Sequence, residues 1–134
     1  YNRIRKIIRP LLQEIYQYDG WKMLTCCMLL NLTNRKQVDV IRDELFKRYP
    51  TPKDMIEANE KELSELLKPL GLYNKRAKTL IKFSWGWING FNDIKELYGV
   101  GQYARDSWDI FQNNNMNIKP DDKVLQEYLR VENG

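Results

Sequence analysis

Histidine is absent from this chain of 134 residues. Its absence removes the most common general base, the most common metal ligand and the usual partner of a nucleophilic serine or cysteine. Any catalysis must therefore use aspartate, glutamate, lysine, tyrosine or cysteine side chains. The length fits one domain covering residues 1–134. Because the chain begins with Tyr1 rather than methionine, we expect that domain to be part of a longer protein.

Cysteine is almost as scarce, since the two cysteines are the neighbours Cys26 and Cys27. Adjacent cysteines rarely bridge because the geometry is strained, and these two lie in an apolar run, which favours buried free thiols. A disulfide-stapled domain and an all-cysteine zinc or iron–sulfur site are therefore excluded. No apolar run reaches the roughly 20 residues of a membrane span, so no membrane partner is expected.

Apolar residues recur at helical spacing along almost the whole sequence. The first such segment runs from Ile4 to Ile15, and Pro10 is expected to break that helix or to start a new one. The mostly apolar segment 20–31 predicts a helix that is buried on most sides. Further helices are predicted over 35–49, from Pro52, from a cap at Asn59 to Pro69, and over 74–89, 92–97, 102–112 and 121–131. No segment alternates as a strand does, so the predicted fold class is all-α with about eight to ten helices.

Two finer predictions concern helix ends and faces. Asn59 and Glu62 have the spacing of a capping box, in which each side chain bonds the other's backbone N–H. In the helix over 74–89, one shared face is predicted to carry Ala77, Leu80, Ile81, Ser84 and Trp85.

The net charge of +4 is modest, but the charges are unevenly distributed. Segments 1–9 and 68–82 carry basic residues and no acid, whereas 54–65 carries five acidic residues and one lysine. Such a pattern is typical either of solvated helix faces or of a molecule with one positive side. Segment 68–82 also contains the apolar turn Pro69-Leu70-Gly71-Leu72-Tyr73, which favours a surface that faces phosphates and probes DNA with an apolar tip.

Two glycines flank one valine in Leu97-Tyr98-Gly99-Val100-Gly101, between a short predicted helix and a longer one. Glycine permits a tight turn and close backbone approach, and the N-terminus of the following helix offers free N–H groups to a phosphate. Val100 is expected to anchor the turn in the core. The pattern predicts a helix–hairpin–helix that binds the DNA backbone without reading sequence, and the alternative is an ordinary helical turn. A similar turn occurs at 67–73.

With this hairpin, the sequence resembles the helix–hairpin–helix DNA glycosylases of the endonuclease III superfamily over residues 13–128. It is most similar to the glycosylase domains that accompany methyl-CpG-binding domains and remove thymine or uracil opposite guanine. The motifs that carry the resemblance are Asp19-x-Trp21-Lys22, Asn31-x-Thr33, the run from Glu65 to Ser84, Gly99-x-Gly101-x-Tyr103, Asp106-Ser107 and Pro120-x-Asp122. The fold implied by the resemblance has its active-site cleft between two helical lobes.

The resemblance implies roles for individual residues. Asp122 corresponds to the aspartate that stabilises positive charge on the sugar and orients water, although Asp121 and Asp122 also suit plain N-capping. Gln13 and Tyr103 correspond to residues that contact the flipped pyrimidine, although an exposed helical glutamine is the commoner role for such a residue. Leu72 corresponds to the wedge that enters the duplex.

One position distinguishes this chain from bifunctional relatives, and two others depart from the glycosylases that it most resembles. Bifunctional relatives carry a lysine at the position of Tyr103, so a monofunctional glycosylase without strong lyase activity is implied. Leu32 and Val124 replace an arginine plug and a lysine, and Leu32 is expected to act as an apolar plug with Arg35 or Lys36 supplying charge nearby.

Contacts with the DNA backbone are expected from the hairpin and from the basic segments. The residues assigned to it are Lys68, Lys75, Arg76, Arg35, Lys36, Gly99, Val100 and Gly101. No metal site and no cofactor is expected, apart from a monovalent cation that the hairpin carbonyls hold in relatives. The implied partner is double-stranded DNA with a G·U or G·T mismatch, bound by a monomer. The implied location is the nucleus in a eukaryote and otherwise the cytoplasm or nucleoid.

The predicted function is therefore a monofunctional glycosylase that removes uracil or thymine paired with guanine. Two alternatives stay open. One is a non-catalytic helix–hairpin–helix module that only binds DNA, and the other is a glycosylase for a different damaged or modified base.

Overall fold

The computed structural model describes residues 8–134, and it is all-α over that range. Of the basic cluster predicted over 1–9, the residues Arg3, Arg5 and Lys6 lie outside the described residues, as do the apolar positions Ile4 and Ile7. Arg9 is described, and its guanidinium pairs with Glu14 at 2.7 Å. The helices are α1 Leu12–Ile15, α2 Gly20–Leu29, α3 Arg35–Arg48, α4 Pro52–Ile56, α5 Glu60–Leu67, α6 Tyr73–Asn89, α7 Gln102–Phe111 and α8 Lys123–Asn133. Two 3₁₀ turns, Lys68–Leu70 and Ile94–Glu96, complete the regular structure of this range.

Side-chain caps start most of these helices, and the sequence predicts those at Asn59 and Asp122. Five caps accept a hydrogen bond from the backbone N–H three residues ahead: Asp19, Asn34, Thr51, Asn59 and Asp122. Such a cap satisfies one of the N–H groups left free at a helix start. The capping box expected at Asn59 is only half formed, because the Glu62 side chain does not return a bond to the cap. Pro10 precedes α1, which begins two residues later.

The larger hydrophobic cluster surrounds α2, in which every residue except Gly20 and Lys22 is buried. Trp21 is 1% exposed, and its Nε1 donates to Ser84 Oγ on α6 at 2.9 Å. The Ser84 hydroxyl donates in turn to the Leu80 carbonyl at 2.8 Å. Burial of an aromatic side chain with its polar atom bonded fixes α2 against α6.

A smaller cluster of five buried residues forms between α7, α8 and the segment before α1: Leu11, Ile110, Leu125, Tyr128 and Leu129. Tyr103 and Phe111 on α7 pack against both clusters. The molecule therefore has two packed regions that meet along α7, which confirms the expected division into two lobes.

The face predicted for α6 lies on one helix, but it is not buried along its whole length. Trp85 is 49% exposed, and Phe83 takes its place in the core at 0% exposure. Each helical residue advances the side chain by about 100°, so Phe83 and Ser84 return to the face of Leu80 while Trp85 lies about 140° away from it.

The two hairpin glycines differ in whether a larger residue could replace them. Gly99 has φ +86°, and a Cβ there would lie 2.7 Å from Thr79 Cγ2 and 2.9 Å from Met28 Sδ. Gly101 has φ −98° and nothing within 4 Å of its Cβ position. Of these two positions, only 99 therefore requires glycine, both for its backbone conformation and for packing.

Replacing Gly99 with alanine should destabilise the fold strongly. The left-handed conformation and the overpacking against Thr79 and Met28 together predict a loss of about 2–4 kcal/mol. Gly101→Ala is the matched control, with an expected loss within about 1 kcal/mol. Urea unfolding of both variants measures the difference, and equal stabilities would contradict the hairpin geometry.

Candidate active site and DNA-facing surface

A cavity of about 1080 Å³ opens between the two clusters. All residues assigned to the site from the sequence line it, with the exception of Val100 and Lys68. Its walls come from the segment around α1, the loop after α2, the turn before α6, the hairpin and the start of α8. Residues far apart in sequence therefore share one surface, and the cavity has about the volume of a large ligand-binding cleft.

Gln13 lines the cavity and forms a buried hydrogen-bond network with α7. Gln13 is 2% exposed, and its Nε2 donates to the Tyr103 hydroxyl at 2.7 Å and to Ser107 Oγ at 3.1 Å. Within the described residues, Oε1 of Gln13 accepts no hydrogen bond. Burial raises the pKa of the Tyr103 hydroxyl far above its usual range, so this side chain stays neutral.

Ser107 belongs to this network although sequence reasoning gave it no role. Tyr103 and Ser107 are four residues apart on α7, and that spacing places them on one helix face. A polar pair at this spacing on a helix beside the hairpin was the signal that could have found it.

Both cysteines are free and buried, as predicted. Cys27 also lines the cavity, a position that the sequence did not reveal. Burial raises its pKa to about 12, and burial likewise raises that of Cys26. At neutral pH, Cys27 is therefore an uncharged thiol in the cavity wall and not a nucleophilic thiolate.

Asp122 caps α8 and also lines the cavity. Its Oδ2 accepts from the Leu125 N–H at 2.9 Å, and no described residue donates to its Oδ1. The neighbouring Asp121 is exposed and lies outside the cavity lining. Asp106, the other acidic residue near the hairpin, is buried and accepts from Gln102 Nε2 at 2.8 Å. Asp122 is thus the carboxylate of this group that can serve both as a cap and in the cavity.

Two leucines project from turns at the rim of the cavity. Leu32 is 81% exposed with φ +62°, and Leu72 is 55% exposed with φ +49°. A left-handed backbone is rare for a leucine, and exposure of two large apolar side chains contributes nothing to the core. Both features are typical of a contact surface.

The three lysines assigned to DNA contact differ in their positions. Lys36 and Lys75 are exposed, line the cavity and form no ion pair with any described residue. Lys68 lies away from the cavity and pairs with Glu65 at 3.2 Å. Of the five basic side chains, two lysines are thus placed to meet a phosphate at this surface.

The two arginines differ from the expectation, because both bond within the protein. Arg35 donates to Asp39 at 2.9 Å and to the Pro10 carbonyl at 2.8 Å. Arg76 is 8% exposed and donates to backbone carbonyls, and burial lowers the pKa of its guanidinium. A guanidinium committed to carbonyls has few donors left for a phosphate.

The hairpin places a helix start at the cavity wall. The Val100 N–H donates to the Leu97 carbonyl at 3.3 Å, and Gly101 precedes α7. Val100 packs against the larger cluster but is only half-buried. The first N–H groups of α7 lack helical partners and lie beside the open space at Gly101, which suits an anion.

Metal and membrane features are absent from the described part of the chain. Residues 8–134 contain no group of three or more cysteine, aspartate or glutamate side chains placed to hold a metal ion. In the same range, no helix has both the length and the apolar character that a membrane crossing requires.

Comparison with known proteins assigns the chain to a class of DNA repair proteins. Residues 25–126 match the family described as HhH-GPD superfamily base excision DNA repair protein. The chain belongs to this superfamily, as the sequence motifs predict.

Two relatives and one solved structure show which members of the superfamily the chain is similar to. The chain is 38% identical over 126 residues to the methyl-CpG-binding domain protein 4-like protein of Arabidopsis thaliana, covering 90% of this chain and 28% of that protein. It is 39% identical over 93 residues to the thymine-DNA glycosylase of Aeropyrum pernix, covering 63% of this chain and 42% of that one. The chain thus spans less than half the length of these relatives. The fold matches that of a thermostable thymine-DNA glycosylase with a TM-score of 0.62 and 21% identity, over 77% of this chain and 60% of that one.

Proposed function

We propose that this chain is a DNA glycosylase domain that removes uracil or thymine mispaired with guanine, by base flipping and hydrolysis of the N-glycosidic bond. One observation carries the proposal. A single cavity contains the Gln13–Tyr103 pair, the Asp122 carboxylate, the hairpin glycines and two exposed leucines. These are the parts needed to hold a flipped base, stabilise its sugar, grip the backbone and fill the vacated stack. The relatives named above include thymine-DNA glycosylases.

Recognition of the flipped base rests on the Gln13 amide. Tyr103 and Ser107 take its two N–H groups, so Oε1 is left for the base. Uracil and thymine carry an N–H at position 3, and a carbonyl oxygen can accept a hydrogen bond from it. Cytosine carries a lone pair there, so it would leave Oε1 facing another acceptor, an arrangement that costs free energy in a buried site.

Asp122 supports the chemical step. Cleavage of an N-glycosidic bond builds positive charge on the sugar, and an ionised carboxylate beside the sugar stabilises that charge. Oδ2 is held by the Leu125 N–H, while Oδ1 is available to the sugar or to the attacking water. The water adds to C1′ and gives up a proton, while the bond from C1′ to the base nitrogen breaks. The base leaves with the bonding electrons as a delocalised anion and is then protonated to the free base. Such a leaving group needs no strong general acid, which suits a chain without histidine.

The same residues support a monofunctional reaction. A lyase step needs an amine that attacks C1′, and Tyr103 occupies the position where the resemblance places that lysine. The burial that keeps the Tyr103 hydroxyl protonated also makes it a poor nucleophile.

The proposal also covers the DNA substrate, the number of copies that bind it and the location. The substrate proposed is double-stranded DNA bound by one copy of the chain, in the nucleus if the source is a eukaryote. Among described residues, the carbonyls of Gly99 and Val100 accept no backbone hydrogen bond, which leaves them free to hold a monovalent cation at a phosphate. Lys36 and Lys75 would add cationic contacts at the rim.

A panel of duplexes tests the base that is removed. We expect release of uracil opposite guanine to be fastest, with thymine slower because its methyl group needs room beside the cavity wall. Cytosine opposite guanine, and 3-methyladenine opposite thymine, serve as comparison substrates that should not react. Strong release of 3-methyladenine would show a glycosylase for a different lesion. Binding without release of any base would favour the non-catalytic module.

A further inference from the structure

Two turns at the cavity rim each carry an exposed leucine in the left-handed conformation. Leu32 follows Asn31 in the loop after α2, and Leu72 follows Gly71 in the turn before α6. The turns are separated by some forty positions in the sequence yet both leucines line one cavity. Neither side chain packs in the core, so folding does not explain why both backbones hold this conformation.

A single guanidinium joins the two turns. Arg76 Nη2 donates to the Asn31 carbonyl at 2.9 Å, and Arg76 Nε donates to the Gly71 carbonyl at 2.8 Å. These carbonyls belong to the residues directly before Leu32 and Leu72. Nη2 also lies 3.4 Å from the Leu70 carbonyl. One planar group therefore holds both turns immediately before each exposed side chain.

A second, longer contact links the same two turns. Gln37 Nε2 lies 3.5 Å from the Pro69 carbonyl, while Gln37 Oε1 accepts from the Asn34 N–H that precedes α3. The α3 cap and the turn before α6 are thus also tied to each other. The connection between the turns is therefore made by donors from α3 and from α6.

The burial of Arg76 and its lack of an acidic partner among the described residues fit this connecting role. It is 8% exposed, and within the described residues it forms no ion pair with a carboxylate. A buried cation without an acidic partner is costly unless its donors are used. The guanidinium fork can reach carbonyls in two directions at once, whereas a lysine offers one compact ammonium.

We infer that Arg76 is a positioning residue that fixes Leu32 and Leu72 as one two-pronged wedge, so that both leucines enter the duplex together beside the flipped nucleotide. The inference rests on the proposed function, because it assumes a duplex from which a base has been rotated. A vacated stack is one gap, and two apolar groups held at a fixed spacing can fill it without being ordered upon binding. Two independent leucines would each have to be ordered separately.

A double-mutant cycle tests the wedge. Leu32→Ala, Leu72→Ala and the double variant are measured in the wild-type and in the Arg76→Lys background. The readout is affinity for a duplex with a tetrahydrofuran abasic analogue opposite guanine, together with fluorescence of 2-aminopurine next to the site. In the wild-type background, the double variant should lose at least about threefold less affinity than the product of the two single losses, because neighbouring groups that act together are not additive. In Arg76→Lys, the losses should become multiplicative.

A control variant and the choice of an abasic duplex make the result of this cycle interpretable by itself. Arg48→Lys makes the same exchange at an exposed arginine that pairs with Glu44, and it should leave the coupling unchanged. Multiplicative losses in the wild-type background overturn the inference, even if Arg76→Lys does not fold. Coupling that survives in folded Arg76→Lys overturns it as well. The abasic duplex needs no excision, so a failure to release uracil would overturn the proposed function and leave this test intact.

Discussion

Asp122→Asn should abolish uracil release while leaving the fold and DNA binding intact. Asparagine caps a helix about as well as aspartate, so α8 should keep its start and the stability should change by no more than about 0.5 kcal/mol. The substitution removes the negative charge that would stabilise the developing sugar cation. We expect the single-turnover rate on a G·U duplex to fall by about 10³-fold.

The matched control for this substitution is Asp121→Asn, which removes the same charge one residue earlier. Asp121 is exposed and outside the cavity, so its variant should retain nearly the wild-type rate. Thermal unfolding of both variants checks that α8 is intact. Equal rates for wild type and Asp122→Asn would show that Asp122 is only a cap.

Gln13→Ala should produce the second largest loss in the rate of base release. It removes the proposed partner of the base and leaves the Tyr103 and Ser107 hydroxyls without the amide that they now accept from. A buried N–H of the base left without its acceptor costs about 1–3 kcal/mol, so the single-turnover rate should fall by roughly 10- to 100-fold. Affinity for undamaged duplex should be nearly unchanged, because Gln13 is only 2% exposed and presents almost no surface to an intact duplex.

Gln17→Ala is the control for that variant. Gln17 lies just after α1 and outside the cavity lining, and its side chain donates to the Glu14 carbonyl at 3.1 Å. Loss of this local bond should leave base release within about twofold of wild type. A Gln13→Ala rate similar to that of Gln17→Ala would remove the amide from base recognition.

Much of the fold follows from local signals in the sequence. Asn59 and Asp122 mark helix starts, and the apolar run 20–31 marks the buried helix at the centre of the larger cluster. These signals involve neighbouring residues, so they can be read without knowing the tertiary structure. Trp85 shows the limit of periodicity, because an apolar residue at the wrong angle on α6 stays on the surface.

The site could be predicted only in part. A motif on a loop can indicate a carboxylate such as Asp122 or a turn tip such as Leu72. The sequence does not reveal how the side chain of Arg76 is used, because its partner carbonyls lie in two separate turns. The same holds for Cys27, whose place in the cavity wall depends on how α2 packs beside α7.

The most direct test of the proposed function is to measure free uracil released by the wild-type chain from a G·U duplex under single-turnover conditions. We predict that free uracil and abasic sites form in equal amounts, and that the DNA strand stays uncut until alkali is added. A duplex that is bound tightly but yields no free uracil would contradict the assignment of this chain as a glycosylase. Strand cleavage without alkali, with an adduct trapped by borohydride, would contradict a monofunctional reaction.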